Sequence, residues 1–352
     1  RNQSKAAAVG RKQMAQPKTF AVVTTIQGPT DCMRALAKSC SALGFPILVF
    51  GDKKGPVEFK LDNCEFRSLA DQQSLPFTLA GLLPVGHYCR KNLGYLEAMQ
   101  RGAGRIFETD DDNAPNEHFG SREIECDACP IAPQGWCNVY RLFSGDSLIW
   151  PRGLPLDHVR GSAPVRPASS EHVSAPIQQG LADGAPDVDA IWRLLVDKDF
   201  SFDRNTSVML KQGAWCPFNS QNTWWFPVCF PLMYLPSFCS FRMTDIWRSF
   251  IAQRCLWELS TGVVFHSADV VQDRNPHNLM RDFSDEVPGY TRNSDFVAVL
   301  GALSLKPGPE AVADNLLACY QELVAKDFFP EKELPLVKAW LHDVRTHCTS
   351  TL

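Results

Sequence analysis

Three short apolar runs, "TFAVVTTI" (19–26), "PILVFGD" (46–52) and "RIFETDDD" (105–112), are separated by stretches of helical spacing. Runs that do not alternate apolar with polar read as strands buried on both faces, as in a parallel sheet. Between the first two, "GPTDCMRALAKSCSALG" places Met33, Leu36, Ala37 and Cys40 on one helical face and stops at Gly44. "CEFRSLA" is a third short strand, and residues 86–104 carry helical spacing at Cys89, Leu93, Leu96 and Met99 before a glycine stop. This rhythm is that of βαβ units, whose right-handed crossovers bring Asp52 and the run Asp110, Asp111, Asp112 to the carboxyl ends of strands. Open α/β sheets bind their ligands at those ends.

Residues 1–17 are polar and basic and are expected to form a flexible arm, and 161–190 opens with a Pro/Ala/Ser/Gly-rich stretch expected to be an extended crossing or an active-site flap. Helix candidates follow at 244–260, 308–326 and 333–347, with a strand at 262–266. The net charge of −4 offers no broad basic field, which argues against a nucleic-acid partner. The longest apolar stretch, "FPVCFPLMYLP", is broken by prolines, so any membrane attachment is expected to need a segment outside this chain. Cys126, Cys129 and Cys137 could form one disulfide with a free thiol, stay as reduced structural thiols, or supply three ligands of a zinc site. Sequons at Asn2 and Asn205 fit a secretory lumen, with the cytoplasm as the alternative.

Three adjacent carboxylates at a strand end suit a hard divalent cation, Mn2+ or Mg2+, which takes one or two protein carboxylates and leaves its other positions to water and phosphate. A solvated acidic turn is the plainer alternative. Arg90 and Lys91 fall in the first turn of the helix expected at 88–102, where a cation opposes the helix dipole by about 0.3–1 kcal/mol. A bound diphosphate would reverse that sign. Asp245, flanked by Arg242 and Arg248, stands at a helix start and reads either as a cap or as a general base. His266, ending a strand, and His277 are each open to metal ligation or proton transfer.

The blocks "LPVGHYCRKNLGYLEAMQRGA" and "IFETDDDNAPN" resemble those of the STELLO-type glycosyltransferases. "NVYRLFSGDSLIWPRGLPLDHV", "PDVDAIWRL", "LPSFCSFRMTDIWRSFIAQR" and "DRNPHNLMRDFSDEVPGY" look like further blocks of that family in the same order, from about residue 19 to 290. The resemblance implies an α/β, GT-A-like Rossmann-type mixed sheet flanked by helices, with a C-terminal helical segment. It implies a nucleotide-sugar-binding half (18–160), an acceptor-side half (191–292) and C-terminal helices (293–352).

Carried onto this chain, the resemblance makes Asp110, Asp111 and Asp112 the metal-binding motif, with His266 a further candidate ligand. It puts Arg90 and Lys91 at the diphosphate, and Thr24, Thr25 and Asp52 near base and ribose. The implied activity is metal-dependent transfer from a nucleoside-diphosphate sugar, a UDP-sugar first, to a glycan or other hydroxyl acceptor. An inverting mechanism would use Asp245 as base, and plant members of the family place such proteins in the Golgi. A non-catalytic binding protein that keeps the nucleotide-sugar pocket, and a metal-dependent phosphohydrolase, are the alternative readings.

Overall fold

The computed structural model describes residues 18–161, 165 and 169–347, so the arm expected at 1–17 lies outside the described residues. The first half contains β1 (Thr19–Thr25), α1 (Asp31–Ala42), β2 (Ile47–Gly51), β3 (Cys64–Arg67), α2 (Leu69–Gln73), α3 (Lys91–Gln100), β4 (Arg105–Thr109) and β5 (Asn113–Pro115). β6 (Glu125–Ile131), β7 (Gly135–Trp136), β8 (Glu171–Ser174), β9 (Ile177–Gly184), α4 (Ala190–Leu195), β10 (Val208–Leu210), β11 (Ala214–Trp215) and β12 (Asn222–Trp225) follow. The chain continues through α5 (Thr244–Trp257), β13 (Val263–Gln272), α6 (Leu279–Ala302), α7 (Val312–Ala325) and α8 (Glu333–His347).

One sheet of 11 strands, ordered β3-β2-β1-β4-β12-β9-β13-β10-β6-β8 with β5 paired to β13, runs through both expected halves. Strands β3, β2, β1 and β4 are parallel neighbours, β12 is antiparallel to both β4 and β9, and β13 is parallel to β9. The carboxyl ends of β1, β2, β4, β9 and β13 and the amino end of β12 therefore share one edge. The sheet is mixed and flanked by helices, the α/β architecture the resemblance implied.

Local sequence explains the first half. α1 buries Met33, Leu36, Ala37 and Cys40, the face read from spacing, and Thr30 caps it by accepting from the Met33 amide. α3 lies hard against β1 and β2: a Cβ on Gly94 would come within 2.5 Å of Val22 Cγ1 and 3.1 Å of Phe50. Only glycine permits that approach.

Three expectations are corrected. The 161–190 stretch contains β8 and the eight-residue β9, whose neighbours β12 and β13 enclose it within the sheet. Its low apolar content is offset by hydrogen bonding, since Gln178 and Gln179 donate to backbone carbonyls of Ala175, Glu123, Gly180 and Asn222. The boundary at 292/293 falls inside α6, a 24-residue helix containing Pro288. The twelve described cysteines are all free thiols, so Cys126, Cys129 and Cys137 form no disulfide.

α8 packs back onto the first half, where Asp343 accepts from the Thr78 and Leu79 amides at 2.9 Å each. Among the described residues no helix is long and apolar enough to cross a membrane.

Candidate functional site

Strand order makes the position of the aspartates significant. β1 is followed by β2 on one side and has β4 on the other, so the winding reverses between β1 and β4, and a crevice opens where it does. Asp110, Asp111 and Asp112 follow β4 at that point. Their carboxylates diverge. Asp110 Oδ1 accepts from Tyr88 Oη at 2.5 Å and Lys91 Nζ at 2.8 Å. Asp111 Oδ2 accepts from Thr25 Oγ1 at 2.6 Å and Gln27 Nε2 at 3.3 Å, across the switch point, and its Oδ1 from Asn275 Nδ2 at 3.4 Å. Asp112 accepts from Asn113 Nδ2 and Gln272 Nε2, each at 2.9 Å.

Among the described residues no three His, Cys, Asp or Glu side chains form a complete metal cage. The donor set fits a hard cation held by one or two carboxylates and completed by substrate oxygens. Asp110 is suited to this, because its Oδ2 carries no hydrogen bond while Oδ1 is fixed by Tyr88 and Lys91. Burial, then the neighbouring Asp110 and Asp111 charges, push the Asp112 carboxyl up to about 7, and burial raises Asp111 in the same direction.

An acid raised in the fold binds more protons there than in the unfolded chain between its two pKa values, so stability falls as pH rises from about 4 to about 7. Asp189, raised to about 6 by burial, acts in the same direction. Asp112→Asn is expected to flatten part of that decline without touching the part due to Asp189. Urea unfolding at a series of pH values measures this, and an unchanged slope would show that Asp112 does not titrate there.

Lys91 faces the aspartates and Arg90 does not. Lys91 is fully buried, and its Nζ donates to Tyr88 Oη at 2.7 Å, Asp110 at 2.8 Å and the Ser220 carbonyl at 3.3 Å. The helix tip and the aspartates are thus joined by a direct ion pair. Arg90 points elsewhere: its Nε donates to Gln72 Oε1 at 2.6 Å and its Nη1 to the Leu83 and Pro84 carbonyls. Asp52 accepts from the amides of Lys53, Gly86 and His87 at 2.7–2.8 Å. Arg90 and Asp52 therefore hold the loop that presents Tyr88 and Lys91. Thr24 is half-buried opposite Phe50, and Thr25 reaches Asp111 directly.

His266 is apart from the aspartates. Its Nδ1 pairs with Ser207 Oγ at 2.7 Å and its Nε2 with Gln178 Oε1 at 3.0 Å, so both ring nitrogens are engaged. It also lies six residues before Gln272 on β13, on the order of 20 Å along a strand, which places it outside the group near Asp112. Burial and the Arg122 charge depress its pKa, consistent with a neutral ring. His277 pairs with Asp282 at 3.0 Å.

Asp245 does not cap α5; its carboxylate faces Arg152, whose two Nη atoms each donate to it at 3.0 Å. The Ser220 amide and hydroxyl also donate to Oδ2 at 3.2 Å. Burial alone would raise this acid, but Arg152, with Arg248 and Arg242, brings it down to about 2. A carboxylate so held is a weak proton acceptor. Its connections run instead through Ser220, whose hydroxyl is 2.6 Å from Tyr88 Oη, and so to Asp110.

Tyr88, Gln27, Ser220, Gln272, Asn275 and Arg152 were not singled out from the sequence. Tyr88 alone left a local signal, lying one helical turn before Lys91.

Comparison with known proteins supports the family resemblance. A model of the STELLO glycosyltransferases matches residues 242–349. The probable glycosyltransferase STELLO2 of Arabidopsis thaliana is 29% identical over 344 residues, 92% of this chain, and STELLO1 is 28% identical over 355 residues, 94% of it. The chain spans 44% of the length of each of these relatives. Among solved structures, a mycobacterial protein aligns over 90% of this chain and 77% of its own at 9% identity and TM-score 0.36. Glucosyl-3-phosphoglycerate synthase from Mycobacterium tuberculosis, in complex with Mn2+, UDP and glucosyl-3-phosphoglycerate, covers 81% of this chain and 79% of its own at 10% identity and TM-score 0.37.

Proposed function

We propose that this chain, a relative of the STELLO glycosyltransferases, transfers a sugar from a nucleoside-diphosphate donor, a UDP-sugar first, to an acceptor hydroxyl with the help of Mn2+ or Mg2+ at Asp110 and Asp112. The observation that carries this reading is the place of the aspartates: they stand at the reversal between β1 and β4 with Lys91 and Tyr88 locked onto Asp110. Relatives that are themselves described as probable glycosyltransferases support the reaction class.

A cation bound there would neutralise the diphosphate as it leaves. This chain's own residues supply positioning. Tyr88 and Lys91 turn the free oxygen of Asp110 outward, Gln272 and Asn113 orient Asp112, and Thr25, Gln27 and Asn275 hold Asp111 across the crevice. Asp245 orients Ser220 and Arg152 in this scheme. A general-base role would require Arg152 to leave it first. Attachment to a membrane through a segment outside this chain, and residence in the Golgi lumen, belong to the same proposal.

A thermal-shift screen of UDP-sugars with and without Mn2+ tests the donor class. A donor at 100 times its dissociation constant adds about 2.7 kcal/mol to folded stability, and a shift that ignores Mn2+ would contradict the cation's role. Asp245→Asn is expected to cost about 1–3 kcal/mol of stability, because Arg152 keeps Asp187. It is also expected to retain the acidic limb of the pH–rate profile. Disappearance of that limb, with turnover down about a thousandfold, would return Asp245 to the role of base.

A further inference from the structure

Arg152 and Arg242 face the carboxylate of Asp187, and Arg193 and Arg274 are held on the elements packed beside it. Arg152 takes both Asp187 oxygens, with Nε at 2.7 Å and Nη2 at 2.8 Å, which leaves Arg242 Nη2 at 4.0 Å. Arg193 Nη2 donates to the carbonyl of Pro186, the residue before Asp187, and Arg274 pairs with Asp282, one turn of α6 before the Glu286 that accepts from Arg242.

The other acids nearby are already shared. Asp282 serves Arg274 and His277, while Glu286 serves Arg242 Nε, the Tyr290 hydroxyl and the Ala190 amide. The arginines, by contrast, keep donors in hand. Arg242 hydrogen-bonds through Nε alone and Arg274 through one Nη2. Arg193, 6% exposed, gives Nη2 to the Pro186 carbonyl, while its Nε is buried without a partner. Its nearest acid, Asp197, is 3.8 Å away and 69% exposed. Burial and mutual repulsion lower both Arg193 and Arg274, the direction expected when cations are crowded together.

Chain neighbours of two of these arginines reach the aspartate site. Asn275, next to Arg274, binds Asp111 and Gln27. Phe241, next to Arg242 and about half exposed, has its ring 6.0 Å from that of Tyr88. Forked donors on three separate elements, each with guanidinium nitrogens not engaged among the described residues, match the oxygens of a phosphate group.

We propose that Arg193, Arg242 and Arg274 form a binding site for a phosphate-type oxyanion next to Asp110–Asp112. The site itself follows from the arginines alone; only its source, the diphosphate of the donor or an anionic group on the acceptor, rests on the glycosyltransferase reading.

Inorganic pyrophosphate, titrated calorimetrically without divalent cation, is the probe. The wild-type chain is expected to bind it, and Arg274→Gln and Arg193→Gln each to weaken that binding about tenfold or more. Arg193→Lys, which keeps the charge, should fall between, and guards against loss of fold in the glutamine variant. Asp112→Asn should bind pyrophosphate no more weakly than wild type, which separates this site from the cation site. Absence of binding to wild type, or equal affinity in wild type and both glutamine variants, overturns the proposal. UDP distinguishes the sources: a parallel loss of UDP affinity in Arg274→Gln identifies the donor diphosphate, and intact UDP affinity beside lost pyrophosphate binding identifies the acceptor.

Discussion

Asp112→Asn is expected to lower Mn2+-dependent sugar transfer by about 10²–10³-fold while making the protein more stable above pH 7. The two effects have one origin. Asp112 is buried beside Asp110 and Asp111, which pushes its carboxyl up to about 7, so ionising it opposes folding until a cation relieves the repulsion. An asparagine keeps the shape and removes the charge, for a gain on the order of 1–2 kcal/mol in metal-free buffer. Asp110→Asn should behave in the opposite way, because it deprives the fully buried Lys91 of its ion pair. It should cost about 3–5 kcal/mol, as expected when one member of a buried pair is removed. Transfer rates with saturating Mn2+, set against urea unfolding of the same variants, measure both. Equal destabilisation by the two substitutions would mean that Asp112 is a structural acid.

Arg248→Met is expected to cost about 3–5 kcal/mol of stability. Arg248 and Glu108 are both buried, with Nη1 and Oε1 2.7 Å apart. Glu108 also accepts from Tyr95 Oη at 2.5 Å and Trp225 Nε1 at 2.6 Å, and the guanidinium lies over the Trp225 ring at 4.9 Å. Without Arg248 the carboxylate keeps its two neutral donors but no countercharge. Glu108 stands two residues before Asp110 on the same strand edge, so donor binding should weaken together with stability. Adding Glu108→Gln to Arg248→Met should recover most of the loss, because the charge that was left unpaired is then gone. Chemical denaturation of the single and double variants checks this, and a double variant no more stable than Arg248→Met would contradict the pairing.

Much of the scaffold could be read from residue patterns because those patterns are local. β1, β2 and β4 are unbroken apolar runs, and α1, α5, α7 and α8 carry their buried faces at helical spacing. β9 escaped because a strand enclosed by two neighbours can contain Gln178, Gln179 and Gly180 when the amides bond backbone. α6 escaped because Pro288 and Gly289 sit in its middle, where Gly289 in fact makes room for Met243, whose Sδ would lie 2.4 Å from an added Cβ.

The site divided in the same way. The aspartates and Lys91 were visible from their position at element ends. Adjacent residues on a helix point about 100° apart, so Arg90 and Lys91 could not both face the crevice, and spacing does not say which one does. Asp245 could not be read alone for a different reason: its carboxylate faces Arg152, 93 residues away in the chain. The same distance hid the arginine group around Asp187, whose members come from α4, the turn before α5 and the loop after β13.

In the proposed reaction a divalent cation joins a nucleoside diphosphate to Asp110 and Asp112. Crystals of this chain soaked with Mn2+ and UDP, with the ion located by its anomalous scattering, test it most directly. The expected result is a single peak within about 2–2.5 Å of a carboxylate oxygen of Asp110 or Asp112 and of the diphosphate. A UDP molecule bound elsewhere on the sheet edge, or a Mn2+ peak that avoids both aspartates, would contradict the account.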